Sequence, residues 1–239
     1  MNVILSGHGR MGRMIEELLL DAGDTILGVV DAGLFEAPLD VPGKADVLID
    51  FSHPDNLAKA LAFSAQTGCA LVLGTTGYTD AQLSAIREAA SRAPVIYASN
   101  YSLGVFLLKK AVEAVAPALL TAGFDVEVVE AHHNQKADAP SGTAKMLLHA
   151  IDPEAQRPRV YGRNGQVGAR GQEIGVHAVR GGTVAGAHSV CFFGDDEVLT
   201  LTHSASSRRI FALGAIRAAR FVAGRASGLY RMDDVLEGQ

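Results

Sequence analysis

Asn2-Val-Ile-Leu-Ser-Gly7-His-Gly-Arg-Met-Gly12 decides how this chain folds. A short apolar run enters a G-x-G-x-x-G turn and leaves it as Arg13-Met-Ile-Glu-Glu-Leu-Leu-Leu20, whose apolar positions recur at helical spacing up to Gly23. In a strand, glycine turn and helix, the three glycines have separate tasks. Gly7 permits the tight turn, Gly9 lets backbone approach a pyrophosphate, and Gly12 allows the helix to pack close to the strand. The phosphates then lie at the helix N-terminus, where amide N–H groups and the dipole favour an anion, with His8, Arg10 and Met11 lining the same turn. The next apolar run, Thr25-Ile-Leu-Gly-Val-Val-Asp31, ends in a carboxylate placed to accept hydrogen bonds from adenosine ribose hydroxyls. The stretch therefore predicts a dinucleotide-binding domain.

Asp31 also bears on which cofactor is used. A 2′-phosphate would face its carboxylate, and Ala32 and Gly33 follow where a phosphate-clamping arginine would stand. Like charges about 4 Å apart cost on the order of 1 to 4 kcal/mol between water-like and protein-surface dielectrics. NADH is the expected cofactor, with NADPH accepted less well through Arg10 and Arg13.

Outward from this start, strand and helix alternate. Asp46 to Ser52, Ala70 to Gly74 and Val95 to Ser99 read as strands, and Pro54 to Thr67 and Asp80 to Arg92 as helices. Such alternation specifies a parallel sheet of Rossmann type that binds ligands beyond the carboxyl ends of its strands. Besides the glycine turn and Asp31, those ends carry Phe51-Ser52-His53, Gly74-Thr75-Thr76-Gly77 and Ser99-Asn100. Gly74, Thr75, Thr76, Ser99 and Asn100 are small or polar residues suited to a nicotinamide and its ribose.

From Gly104 the character changes. One helix runs from there, with Pro117 expected to kink or end it. Glu173 to Val179, His188 to Phe193 and Val198 to Ser204 read as strands joined by glycine-rich or acidic turns, which suggests a second, α+β domain with a mainly antiparallel sheet. Arg208 to Ala223 is again helical, and Gly228 to Leu236 could return to the first domain. The expected division is 1–103 with 208–239 for the dinucleotide and 104–207 for substrate binding and oligomerisation.

Bulk properties narrow the classes. The 239 residues, 48% hydrophobic, suffice for one large or two smaller cores. With 21 basic and 26 acidic residues the net charge is −5, and no basic run tracks a nucleic-acid backbone. No stretch has the length of a membrane span, so a cytoplasmic protein is expected. Cys69 and Cys191 stand far apart in no CxxC pattern, which argues against a disulfide framework and for two small buried apolar residues.

The densest chemistry lies in Glu130-Ala-His-His-Asn-Gln-Lys136-Ala-Asp-Ala-Pro-Ser141-Gly-Thr-Ala-Lys145. It reads as a polar loop between a strand, Phe124 to Glu130, and a helix, Thr143 to Ile151. Ser141 is a plausible N-cap, and Ser141, Gly142 and Thr143 would make an anion cradle, with Lys136 and the imidazoles of His132 and His133 adding positive charge. Adjacent histidines on an extended chain point to opposite faces, and no His-Glu-x-x-His or cysteine cluster accompanies them, so no metal is expected. On residues alone two other classes stay open. A cofactor-sensing regulator would need a basic DNA-binding or partner-binding segment, which is not visible; an oxidoreductase for another small acid would differ at Glu130 to Thr143.

Taken in order, Gly7-His-Gly-Arg-Met-Gly12, Asp50-Phe-Ser52, Gly74-Thr-Thr-Gly77, Ser99-Asn100, Glu130-Ala-His-His-x-x-x-Lys-x-Asp-x-Pro-Ser-Gly-Thr-Ala144, Arg180-Gly-Gly182 and Ser206-Ser-Arg208 resemble the motifs of the 4-hydroxy-tetrahydrodipicolinate reductase family over nearly the whole chain. The resemblance implies NAD(P)H-dependent reduction of that dicarboxylate in the diaminopimelate route to lysine, by a cytoplasmic homotetramer whose two domains close on the substrate. It implies that His132 donates the proton, that Lys136 assists by binding substrate or stabilising the donor, and that His133, Ser141, Gly142 and Thr143 hold the carboxylates. The residue types agree, since a proton source near neutrality is needed and an ordinary imidazole titrates at about 6.5.

Overall fold

The computed structural model describes residues 1–30 and 35–238, in two compact units: Met1–Ser102 with Arg209–Gln239, and Leu103–Arg208. Asp31, read above as the ribose acceptor, lies outside the described residues.

The first unit begins as its glycines dictate. β1 (Asn2–Ser6) runs into the turn and α1 (Arg10–Asp21) starts at once, a turn earlier than its apolar spacing begins, because Arg10 to Gly12 already take helical conformation. β2 (Thr25–Val30) and β3 (Val47–Asp50) flank β1, and between them only a 3-10 turn, Pro38–Asp40, forms among the described residues. Then come α2 (Leu57–Thr67), β4 (Ala70–Leu73), α3 (Asp80–Ala89) and β5 (Pro94–Tyr97). The chain returns with α6 (Arg209–Val222), β11 (Gly228–Tyr230) and α7 (Met232–Glu237), as the C-terminal pattern suggested. The six strands lie in the order β11-β5-β4-β3-β1-β2, all parallel.

Burial explains why β3 and β4 are continuous apolar runs. Every residue of Val47–Asp50 and Ala70–Leu73 is buried, as a parallel sheet covered on both faces requires. Each fully buried Leu or Ile there contributes roughly 1.5 to 3 kcal/mol of transfer free energy. β1 has β2 on one side and β3 on the other, so strand order reverses at the carboxyl end of β1, where the glycine turn lies.

The second unit opens with α4 (Leu103–Thr121), β6 (Asp125–His132) and α5 (Gly142–Ile151), followed by β7 (Arg159–Tyr161), β8 (Ile174–Arg180), β9 (Gly186–Phe193) and β10 (Val198–Ala205). Its sheet has the order β10-β9-β6-β8-β7. The pairs β10–β9 and β9–β6 are antiparallel, as the turn chemistry suggested. β6–β8 and β8–β7 are parallel, which makes the sheet mixed. The short β7 escapes sequence reading because Arg159-Val-Tyr161 has no alternation to register.

Three further expectations need correction. Pro117 neither ends nor splits α4, which continues to Thr121. So near the end of a helix the missing proline N–H costs one ladder bond, and Val112 and Ala116 on the buried side keep the last turns packed against α5. The strand read as ending at Glu130 continues to His132, so that His132 stands on a rigid strand and not in the polar loop. Cys69 is buried, but Cys191 is only partly so, because it lies on the outward side of β9, level with Glu127 and Thr200.

One face of this second sheet carries Val126, Val128, Val190 and Phe192, packed against α4 and α5. The opposite face keeps Val179, Phe193 and Val198 exposed at 52%, 41% and 56%. No helix among the described residues is long and apolar enough to cross a membrane.

Candidate active site

The first unit presents its polar groups where strand order reverses. Gly7 has φ +92°, and a Cβ at Gly12 would overlap the carbonyl oxygen of Gly7. Both positions therefore exclude a side chain, as the dinucleotide reading of the turn requires. At Gly9 an added Cβ would meet no atom within 4 Å, which leaves room for a ligand phosphate. Gly9 is also the N-cap of α1 and offers no side-chain cap. Met11 is half-buried at the start of α1 and Arg10 is exposed. His8 Nε2 lies 2.6 Å from Glu16, and Arg13 Nε donates to the His8 carbonyl, which closes the turn. These residues fit a nicotinamide dinucleotide.

The loops after β3 and β4 are joined by one carboxylate. Asp50 is fully buried and accepts from Ser52 Oγ, from Thr75 Oγ1 at 2.6 Å and from Tyr78 OH at 3.3 Å. The Thr75 hydroxyl in turn accepts from Ser52 N. Thr75 thus fixes its loop, while Thr76 is exposed; Gly74 leaves its place to the Phe51 ring. Ser99 is exposed, and Asn100 Oδ1 accepts from Ser102 N to shape the turn after β5. Asp50 was singled out by no site reading, because a buried strand-end carboxylate looks like any other until its hydroxyl partners are in place.

In the second unit the alternation of β6 turns Glu130 and His132 inward, to 0% and 9% exposure, and leaves His133 half-buried at the start of the following turn. His132 Nδ1 lies 2.6 Å from Glu130 Oε2. Arg180, at the end of β8, donates to both Glu130 oxygens at 2.8 Å and to the Asp138 carbonyl at 2.7 Å. Ser141 caps α5 as expected, its Oγ accepting from Ala144 N at 3.1 Å, and its own N–H donates to Glu130 Oε1. Gly142 is exposed and a Cβ there would meet nothing within 4 Å; Thr143 is half-buried beside it. His132 and Ser141 thus meet on Glu130, with Gly142 and Thr143 following Ser141 in the first turn of α5.

Two further cations border the turn after β6, Lys136 on the turn itself and Arg208 from the segment between β10 and α6. Lys136 Nζ donates to Asp138 Oδ1 at 2.7 Å, and Arg208 Nη2 lies 3.4 Å from His133 Nε2. Behind them, His188 on β9 is 4% exposed, with Nε2 2.9 Å from Ser141 Oγ and its ring centroid 5.0 Å from that of His132. Burial, and then the charge of His132, push His188 down to about 4, so it is neutral near pH 7. Burial alone would raise Glu130; the hydrogen bonds of Arg180, His132 and Ser141 N outweigh it and hold the carboxyl below the usual range. Glu130, Arg180 and His188 complete the cluster without having been read as site residues. Glu130 lay inside the long motif and Arg180 in the quoted Arg180-Gly-Gly182, neither with a role assigned; His188 lay in none, and strand register brings it and Arg180 to Glu130.

No group of three or more His, Cys, Asp or Glu among the described residues is arranged to hold a metal. A groove of about 260 Å³ between α2 and α3, lined by Leu61, Ala65, Ala85, Glu88, Ala89 and Arg92, contains none of the site residues described above. What the second unit offers chemically is an oriented imidazole, a capped helix N-terminus that favours an anion, and a lysine held by a displaceable surface ion pair.

Comparison with known proteins agrees with both halves. Residues 1–101 match the model of the dihydrodipicolinate reductase N-terminus and residues 104–236 that of its C-terminus. The 4-hydroxy-tetrahydrodipicolinate reductase of an Exiguobacterium species is 42% identical over 99% of this chain and 96% of its own length. That of Akkermansia muciniphila is 44% identical over 98% of this chain and 97% of its own. Among solved structures, dipicolinate-bound dihydrodipicolinate reductase from a Paenisporosarcina species is similar with a TM-score of 0.76 and 25% identity, over 96% of this chain and 97% of that one. A probable dehydrogenase from Thermotoga maritima shares the fold with a TM-score of 0.61 at 9% identity, over 100% of this chain and 90% of that one.

Proposed function

The chain belongs to the dihydrodipicolinate reductase family, and from that premise we propose how its residues divide the work. It is an oxidoreductase that reduces 4-hydroxy-tetrahydrodipicolinate to tetrahydrodipicolinate with a pyridine nucleotide, in the diaminopimelate route to lysine. Substrate, hydride and proton go in; product, oxidised cofactor and the water formed from the substrate's hydroxyl come out. When bound, the nicotinamide supplies the hydride.

We assign dinucleotide binding to 1–103 and 208–239, and substrate binding and oligomerisation to 104–207. In the first part Gly7, His8, Gly9, Arg10, Met11 and Gly12 take the pyrophosphate. Gly74, Thr75, Thr76, Ser99 and Asn100 border the nicotinamide, Thr75 by holding its loop. In the second, Ser141, Gly142 and Thr143 at the first turn of α5 cradle one substrate carboxylate, and His133 and Lys136 take the other. Lys136 exchanges Asp138 for that carboxylate, a replacement of one surface ion pair by another. His132 gives the proton from Nε2. The observation that carries this reading is the placement of His132 and the capped N-terminus of α5 on one carboxylate, Glu130. It sets a proton donor beside an anion cradle.

The cofactor reading is NADH preferred, on the carboxylate that follows the apolar run Thr25 to Val30 in the sequence, Asp31, with NADPH accepted through the exposed Arg10 and Arg13. A homotetramer assembled through the exposed face of the second sheet would cover Val179, Phe193 and Val198; size-exclusion chromatography with light scattering checks it. A cytoplasmic location belongs to the same reading, since a dissociable nicotinamide cofactor is drawn from a cytoplasmic pool. The deciding experiment follows NADH and NADPH oxidation at 340 nm, with substrate made in place from pyruvate and aspartate semialdehyde. Turnover with either supports the assignment, a specificity constant tenfold higher for NADPH overturns the reading of Asp31, and binding without turnover overturns the roles of His132 and Lys136.

A further inference from the structure

We propose that Glu130 is the positioning residue of this site: one buried carboxylate that fixes the tautomer and orientation of the proton-donating imidazole and, through the Ser141 N–H, the position of the anion cradle. The inference rests on the reading of His132 as proton donor.

The acceptor positions of Glu130 are filled from three elements. Arg180 on β8 donates through Nη1 to Oε2 and through Nη2 to Oε1, His132 on β6 lies on Oε2, and Ser141 N at the cap of α5 donates to Oε1 at 3.1 Å. Because Glu130 is held below the ordinary carboxylate range, it is ionised near neutrality and can only accept. His132 Nδ1 must therefore carry a proton toward Glu130, and Nε2 becomes the nitrogen whose proton is exchanged with substrate. A ring tied at Nδ1 cannot turn its other nitrogen away without breaking a charge-assisted bond.

Stability alone gives little reason for this arrangement. Glu130 shares the inner side of β6 with Val126 and Val128, and a buried ion pair is often no better for folding than a well-packed apolar replacement. What the carboxylate adds is a fixed relation between two groups that must act together. Arg180, which also holds the Asp138 carbonyl, extends that relation to the turn carrying Lys136.

The test is Glu130→Gln in the full-length protein, alone and combined with His132→Gln. Folding is checked by circular dichroism and dicarboxylate binding by titration with dipicolinate. Alone, Glu130→Gln should lower kcat by about 10²-fold, as loss of the group that orients a catalytic imidazole does, move the alkaline limb of the kcat/KM profile to lower pH, and weaken dipicolinate several-fold. In the His132→Gln background it should cost no further kcat. An equal cost in both backgrounds, or a kcat within twofold of the parent, overturns the proposal. A second readout needs no variant: the ¹⁵N spectrum of His132 above pH 8 should show the Nδ1–H tautomer, and an Nε2–H ring overturns the proposal whatever the turnover. Undiminished turnover in His132→Gln alone would instead remove the proton-donor assignment, leaving the tautomer to decide the role of Glu130.

Discussion

Gly186 lies against the ring of His132: a Cβ built on it would stand 3.1 Å from His132 Nε2 and 3.8 Å from His188 Cε1. The missing side chain keeps the edge proposed to donate the proton uncovered, and its φ of +152° is one that a residue with a Cβ adopts poorly. Gly186→Ala should therefore lower kcat by about tenfold, because a displacement of well under 1 Å at a reacting group is enough to slow transfer. The melting temperature should fall by a few degrees, corresponding to about 1 kcal/mol of strain. Steady-state kinetics beside a thermal melt measures both, and an alanine variant with unchanged kcat would show that the ring has room to spare.

His132→Gln should reduce kcat by roughly 10² to 10⁴ with a modest change in KM, the usual contribution of a general acid. Lys136→Ala should damage both constants, since it removes a charge from the site proposed for the dianionic substrate. Asp138→Asn acts in the opposite direction. Its carboxylate occupies Lys136 at 2.7 Å in a largely exposed pair worth at most about 1 kcal/mol. Its removal should lower KM by no more than about fivefold. An increased KM in Asp138→Asn would mean that Asp138 orders the turn more than it competes with substrate.

The contrast between Asp138 and Asp50 also marks what a sequence can reveal. Asp138 sits within a contiguous motif, so its neighbourhood to Lys136 was legible by spacing alone. The glycine turn, the parallel sheet and the cap at Ser141 were legible for the same reason, each being a local consequence of a few consecutive residues. Arg180 and His188 became site residues only through cross-strand pairing, His132 opposite Arg180 and Glu130 opposite His188. Register at that distance is set by packing of the whole sheet. Tertiary packing also overrode local signals at Pro117, and it carried β6 two residues past the point where its alternating pattern gave way to the polar run.

Asp50 in the first unit is a test of long-range positioning. Ser52 from the loop after β3 and Thr75 and Tyr78 from the loop after β4 converge on it. Asp50→Ala leaves buried hydroxyls without their acceptor, at about 1 to 3 kcal/mol each before relaxation. The expected result is a loss of roughly 2 to 4 kcal/mol in stability with a several-fold weaker affinity for NADH, read by denaturant unfolding and fluorescence titration. Dipicolinate binding, which the proposed division of the chain assigns to the second unit, should stay within twofold. Unchanged NADH affinity would place the hub outside the cofactor-binding loops.

The pH dependence of stability should carry a separate signature of His188. Burial, and then His132, push its folded value down to about 4, against 6.5 for an ordinary imidazole; His203 and Lys136 act in the same direction and Glu130 opposes them. A group with a lowered histidine pKa is protonated in the unfolded chain while the folded chain stays neutral, so between those two values the unfolded state binds the extra proton. Stability therefore falls as pH drops from about 6.5 toward 4, by up to 1.4 kcal/mol per unit or roughly 3 kcal/mol in total, and this contribution is constant above the window. Glu130 adds a loss of the same sign only below its ordinary 4.5, because its folded value is also lowered. The two are separable: denaturant unfolding at pH 7, 5.5 and 4.8, at fixed protein concentration, stays above the Glu130 window and samples the buried histidines, His188 together with His203, whose pKa burial also lowers, so the His188 share is read by comparison with a variant. His188→Gln, which keeps a polar group near Ser141 but cannot be protonated, should start less stable at pH 7 and lose distinctly less on acidification. Parallel curves for the two proteins would mean that His188 takes its proton in the folded state, and with it that the cluster around Ser141 tolerates a second positive ring beside His132.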